Sequence, residues 1–233
     1  MNNYKITGMI PARMGSKRII KKNVRYLGDK PLIQYAIDLA LGNESFDSVW
    51  VNTENDTLGE IAQRLGAQFH KRPDELANDS ATNREFVNEF LLKHDCDYVV
   101  MVNTTSPLLR SETIEGFINY IKKNNFDTVL SVIKEQAEIF FEDKPLTFSL
   151  KEKINSQLLP PICKVVWSLT AWRREHFLSM QARGENPVFG GKLGLYSIPK
   201  DESCDLDSEE DWRIAEGTLR ARHELHQSKR YFE

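Results

Sequence analysis

Short apolar segments alternate with amphipathic helical ones along the first 133 residues, and few folds accommodate that alternation. A run from Lys5 closes on Met9-Ile10-Pro11-Ala12 and predicts a strand ending at the proline. Pro31 opens a helix through Ala40, a good place for proline, and Gly42 is a plausible stop. Ser48 to Asn52 is a strand, Thr57 to Leu65 a helix ended by Gly66, and Gln68 to His70 a short strand. From Thr82 to Lys93, Phe86, Val87, Phe90 and Leu91 fall at helical spacing. Asp97 to Asn103 is the clearest buried strand, followed by a helix over 112–124 and a strand over 128–133. This pattern predicts an α/β fold with a mostly parallel sheet and helices on both faces. In such sheets ligands sit beyond the carboxyl ends of the strands. The two unusual loops, 13–25 and 103–110, both follow strand ends.

Past Ile133 the pattern breaks. Residues 134–165 mix short apolar pieces with Pro145, Pro160 and Pro161, and predict an extended lobe or hairpin arm. Order returns with Val165 to Leu169 and Leu193 to Ile198. A last helix starts near Glu209, with Ser208 as N-cap and Asp211 three residues on. No repeat or linker divides the 233 residues, so a single domain, 1–233, is expected.

Composition narrows the class. At 40% hydrophobic and 28% charged residues, with a net charge of −3, the chain has the balance of a soluble enzyme. That charge gives no general reason to expect nucleic-acid binding. Cys96, Cys163 and Cys204 are odd in number and lack CxxC spacing, which argues against disulfides or zinc and for a reducing cytoplasm. No signal-peptide core or membrane-length apolar run is present. His70, His94, His176, His223 and His226 show no metal or triad spacing.

Arg13, Lys17, Arg18, Lys21, Lys22 and Arg25 crowd the segment after the first strand. A lysine run on an arbitrary loop serves solubility. Here Gly15 and Ser16 add backbone and hydroxyl donors, and the position at a strand end favours a phosphate-binding loop. It is neither GxxxxGK[ST] nor GxGxxG.

The stretch Ile10-Pro11-Ala12-Arg13-Met14-Gly15-Ser16-Lys17-Arg18-Ile19, then Lys22-Asn23 and Gly28-Asp29-Lys30-Pro31-Leu32-Ile33, resembles the cytidylyltransferases that activate acidic sugars, in particular the N-acylneuraminate group. The resemblance continues, in order, through Arg72 to Asp79, Thr105 to Leu108 and Asp205 to Asp211. It implies a Rossmann-like three-layer nucleotidyltransferase fold, a homodimer and a Mg²⁺-dependent reaction in which a sugar's anomeric hydroxyl attacks the α-phosphorus of CTP. Carried over by position, Arg13, Gly15, Ser16, Lys17, Lys22 and Asn23 contact the triphosphate or nucleotide. Arg72, Ala81, Thr82 and Asn83 line the cytidine side, with Arg13, Lys22 and Asp207 as the catalytic set. Asp205 and Asp207 hold the metal, and the 134–165 arm is the dimerisation element.

Spacing bears on the acid pair as well. On an extended segment, residues two apart point the same way, so both carboxylates can face the triphosphate. The alternative is that they only decorate the N-terminus of the last helix, which suits Glu209, Glu210 and Asp211. Asp207 as metal ligand or as base for the attacking hydroxyl remains open.

On the sugar side the pattern departs from the family's. Asn103 stands where a longer amide is usual, Thr104 replaces a proline, and Leu109 takes an arginine position with Arg110 adjacent. Thr105 and Ser106 also read as helix-entry caps. Phe189, before Gly190-Gly191, matches an aromatic that packs against the sugar's acyl group. Two other readings stay open: a related nucleotidyltransferase with a different nucleotide or acceptor, and a non-catalytic nucleotide-binding protein.

Overall fold

The structure is a computed structural model describing residues 3–224, with the side chains of 223 and 224 excepted. His226 therefore lies outside the described residues. Seven strands form the central sheet: β1 (Ile6–Pro11), β2 (Ser48–Thr53), β3 (Gln68–Lys71), β4 (Tyr98–Val102), β5 (Thr128–Glu135), β6 (Ile162–Arg173) and β7 (Leu193–Ser197). Their order across the sheet is β7-β5-β6-β4-β1-β2-β3. β1 to β4 run parallel to one another, β5 and β7 run parallel to each other, and β6 is antiparallel to both strands flanking it, β4 and β5.

Side-chain alternation on the strands explains the three layers. Along β4, Tyr98, Val100 and Val102 enter one apolar cluster and Val99 and Met101 another. The first face is covered by α1 (Leu32–Leu41), α2 (Asp56–Arg64) and α4 (Ser111–Asn124), through Ile33, Ile37, Leu58, Ile114, Phe117 and Ile121. The second carries α3 (Asn83–Lys93) and α5 (Arg174–Ala182), through Phe86, Phe90 and Phe177. A strand buried on both faces reads as a continuous apolar run, which is why β4 stood out in the sequence.

From β1 the chain builds outward through β2 and β3, then returns to place β4 on the other side of β1. The loops after β1 and β4 therefore diverge at a topological switch point, where open α/β sheets leave a crevice.

Three expectations need correction. β5 extends to Glu135 and β6 begins at Ile162, so the irregular arm spans 136–161, shorter than 134–165. The segment read as Val165 to Leu169 is part of a twelve-residue strand reaching Arg173. Its pairing register shifts between Val165 and Thr170, and Trp167 lies there with a left-handed φ of 41°. That bulge interrupts the alternation and hides the strand's length. Helix α5 was not anticipated, because its only buried residue is Phe177 and the segment lacks a clear apolar stripe.

Candidate functional site

A cleft of about 280 Å³ opens at the switch point, lined chiefly by residues 11–23, 72–86 and 103–105. Arg13, Ser16, Lys17, Arg18, Lys22 and Asn23 enter it from the loop after β1. Arg72 and Ala81 come from the connection between β3 and α3, Asn83 from the first position of α3, and Asn103 from the end of β4.

Local bonds shape the basic loop. Met14 N–H donates to Glu54 Oε1 at 2.9 Å, and Ser16 N–H donates to the Met14 carbonyl at 2.9 Å, turning the chain. Asn23 is buried and its Nδ2 donates to the Arg13 carbonyl at 2.9 Å, while its Oδ1 accepts no hydrogen bond. Lys21 adopts a left-handed φ of 52°, starting a tight 3₁₀ turn over Lys22–Val24. Lys22 turns inward from it, its Nζ donating to the Leu206 carbonyl at 2.6 Å. Burial lowers the Lys22 pKa, opposed by the nearby charges of Asp207 and Asp205. Gly15 is exposed and outside the cleft lining, and a Cβ there would meet nothing. Its contribution is limited to backbone.

The acid pair faces this loop for an apolar reason. Ile19 and Leu206 are both buried in a third cluster with Leu27, Leu32, Trp212 and Ala215. Leu206 points into that cluster, and its N–H donates to the Thr105 carbonyl at 2.9 Å. With Leu206 pointing inward, its neighbours Asp205 and Asp207 turn toward the basic segment. Asp207 Oδ1 lies 2.8 Å from Arg18 Nη2 and 3.7 Å from Lys22 Nζ. Asp205 keeps an exposed face, but crowding around its carboxylate, together with the charge of Asp207, raises its pKa against the lowering effect of a Thr105 hydrogen bond. The N-terminus of α6 (Glu209–Glu224) takes different acids. Ser208 Oγ donates to Asp211 Oδ2 at 2.7 Å, and the Asp207 and Ser208 N–H groups donate to the same oxygen.

Arg72 is buried and largely committed. Its Nε donates to Asn52 Oδ1 at 2.7 Å, its Nη2 to the Asn52 carbonyl at 2.5 Å, and its guanidinium lies 4.6 Å from the Phe86 ring centre. Burial lowers its pKa to about 10. The residue therefore braces the cleft wall. Thr82 is absent from the lining: its N–H and Oγ1 both donate to Glu85 in the capping box of α3.

Beyond the end of β4, Asn103 Nδ2 donates to the Trp167 carbonyl at 2.9 Å, and Trp167 meets Phe189 edge-on at 5.8 Å. Phe189 is half exposed on a 3₁₀ turn, Pro187–Phe189. The left-handed backbone at Trp167 aims that carbonyl at Asn103, and such conformations in a β-branched-rich strand are held only by surrounding structure. Thr105 and Ser106 do not cap α4, which begins at Ser111 after an Arg110 N-cap. Ser106 Oγ donates to Ser168 Oγ at 3.0 Å, and Thr105 serves Asp205 and Leu206. Leu109 is buried, and Arg110 pairs with Asp201 at 2.5 Å and Glu202 at 3.4 Å, so neither lines the cleft.

Two contributors were not identified from sequence. The joint burial of Ile19 and Leu206 in one cluster was signalled only by the pair Ile19-Ile20 and by one leucine between two acids. Asp79 pairs with Arg13 at 2.8 Å and Lys17 at 2.5 Å. Hydrogen bonds from Lys17 and then Arg13 hold its carboxyl below the usual range.

The family model described as cytidylyltransferase matches residues 7–229. The chain is 30% identical over 217 residues to N-acylneuraminate cytidylyltransferase A of Danio rerio, covering 91% of this chain and 50% of that protein. It is 29% identical over 226 residues to the N-acylneuraminate cytidylyltransferase of Escherichia coli O18:K1:H7, covering 91% and 51%. The chain thus spans about half the length of these relatives. A solved CMP:2-keto-3-deoxy-manno-octonic acid synthetase complexed with CTP superposes with a TM-score of 0.70 at 18% identity, over 94% of this chain and 99% of that one, and shows the same fold.

Proposed function

Because the chain belongs to the cytidylyltransferase family, we propose that it transfers CMP from CTP to the anomeric hydroxyl of an acidic, nonulosonate-type sugar, releasing pyrophosphate. The observation that carries this reading is a basic loop lining the switch-point cleft with the acid segment against its edge: Arg18 lies 2.8 Å from Asp207, and Lys22 2.6 Å from the Leu206 carbonyl between the two acids. The names of the similar proteins supply CMP and the sugar-acid class.

In this reading Arg13, Ser16 and Lys17 hold the triphosphate, and Gly15 offers its backbone N–H. Lys22 and Arg13 offset the charge that builds on the transferring phosphorus group, the main task in phosphoryl-type transfer. Asn23 fixes the loop and presents an unfilled acceptor to a ligand hydroxyl or amine. Arg72, Ala81 and Asn83 form the cytidine wall. Thr82 acts indirectly, by fixing the start of α3. Asn103 and Phe189 face the acceptor.

Asp205 and Asp207 would hold Mg²⁺. Two oxygen donors suit that ion, and a cation would offset the burial and the Asp207 charge that together raise the Asp205 pKa. Bound there, Mg²⁺ would supply charge neutralisation for the departing pyrophosphate. We assign Asp207 to the metal, with Arg18 exchanging from Asp207 onto phosphate.

We extend the reading to a homodimer. Phe140, Phe141, Leu146, Leu150 and Leu158 are all exposed in the 136–161 arm, an apolar surface that a second copy would cover. The location is a cytoplasm, in keeping with three separate free thiols. No described helix is long and apolar enough to cross a membrane.

Thermal shift discriminates the nucleotide, since a ligand that binds only the native state raises its stability. CTP with Mg²⁺ raises the melting temperature more than ATP, GTP or UTP, and Asp207→Ala removes the Mg²⁺-dependent part. An equal response to all four nucleotides would overturn the assignment to CTP.

A further inference from the structure

Arg13 and Lys17, two of the cations lining the cleft from the basic loop, are bridged by the carboxylate of Asp79, one oxygen on each, at 2.8 and 2.5 Å. Asp79 belongs to the opposite wall of the cleft. It sits beside Asn78, whose Oδ1 accepts hydrogen bonds from Ser80 N–H, Ser80 Oγ and Ala81 N–H in a tight turn that presents the acid toward the cleft. Arg13 Nη1 also reaches the Ala77 carbonyl at 3.3 Å, so the contact draws the 77–81 turn onto the basic loop.

The chemistry is that of a carboxylate seated where phosphate oxygens would sit. Asp79 has two oxygens and one negative charge, while a triphosphate or pyrophosphate brings more of both. The bridge is also weakly held. The side chain of Lys17 is 80% exposed and that of Asp79 49%, and exposed ion pairs contribute little stability. A phosphate ligand can therefore replace it, but must first compete with it.

We propose that Asp79 is a built-in competitor for the phosphate seat: it neutralises Arg13 and Lys17 when the cleft is empty, lowers net affinity for the phosphate chain and speeds release of pyrophosphate by returning to the same two cations. The inference rests on the triphosphate reading of the cleft. It adds a residue outside the set that contacts nucleotide or metal, and it gives the 77–81 turn two positions, one on the loop and one displaced.

The test is isothermal titration of inorganic pyrophosphate, with Mg²⁺, into the wild type, Asp79→Asn and Asp79→Ala, each checked by thermal melting for an intact fold. The side chain is half exposed, so both variants fold. Removing the competing charge tightens pyrophosphate binding about three- to tenfold in both, mostly through slower dissociation. Stronger product inhibition by pyrophosphate accompanies it. Unchanged affinity would overturn the proposal, and weaker affinity would show instead that Asp79 organises the two cations for the ligand. If the wild type binds CTP while the variants show no gain, only the competitor role falls. If neither the wild type nor the variants bind CTP or pyrophosphate, the triphosphate reading falls with it.

Discussion

Single residues in the site act largely through contacts whose partners are distant in sequence. Arg72 illustrates the limit of reading them in order. Its place on the wall of the cleft was legible from the motif it shares with the family, but its donors to Asn52 and its stacking on Phe86 were not. Those partners lie on β2 and α3, and only the fold brings them together. His70 and His94 were read as ordinary histidines, and at the residue scale they form a buried relay. His70 Nε2 lies 2.7 Å from Glu89 Oε2, and its Nδ1 lies 2.8 Å from His94 Nε2. With both rings neutral, His70 donates to Glu89 and accepts from His94, which satisfies both nitrogens of His70 and Nε2 of His94. Burial lowers the pKa of both, that of His94 to about 4, and Glu89 only partly opposes the shift at His70. Each folded pKa is thus below the unfolded value of about 6.5. The relay's stabilisation is fully present above that pH and is lost as pH falls from about 6.5 toward about 4. The melting temperature should decline across that window, and His94→Asn should flatten the decline. An identical pH profile in the variant would remove the relay from the account.

Elements that follow one period were legible, and those that change period midway were not. The α6 start was read from Ser208 and Asp211, and both sides of that capping box form. The box matters to the site because Asp207 N–H donates to the same Asp211 oxygen. Ser208→Ala should cost about 1 kcal/mol of stability, measured as a lower urea midpoint at unchanged slope. No shift in the midpoint would mean that the helix start is held by Arg25, which pairs with Glu209 and lies 4.3 Å from the Trp212 ring centre. By contrast β6 was read at less than half its length, because the bulge at Trp167 shifts its register between the pairings with β5. The same bulge sends the Trp167 carbonyl to Asn103. Helix α5 escaped notice because one buried residue in nine makes no stripe. The alternative reading of Thr105 and Ser106 as helix caps fails, because α4 starts only at Ser111 and hydroxyls before a helix are ambiguous in sequence. Here they bind the acid segment and β6 instead.

Across the whole molecule, the parallel half of the sheet puts its carboxyl ends on one edge, and all the cleft loops leave from that edge. This much was legible, because alternation of strand and helix constrains topology strongly. What seats the acid segment beside the basic loop was not, since the cluster that buries Ile19 and Leu206 joins residues far apart in the chain. The arm beyond Glu135 belongs to the same scale. Its exposed phenylalanines and leucines predict a solution mass, by light scattering, twice that of one chain. The double substitution Phe140→Asp and Phe141→Asp should shift that mass toward the monomer, and a monomeric wild type would contradict the dimer. Transfer of a cytidylyl group to a sugar acid by the basic loop and the carboxylate pair would show as pyrophosphate release from CTP with Mg²⁺ across sialic, legionaminic, pseudaminic and deoxy-octulosonic acids. Release should require both CTP and one of these acids and should be abolished in folded Asp207→Ala. A folded wild type that releases no pyrophosphate with any of the four would contradict it.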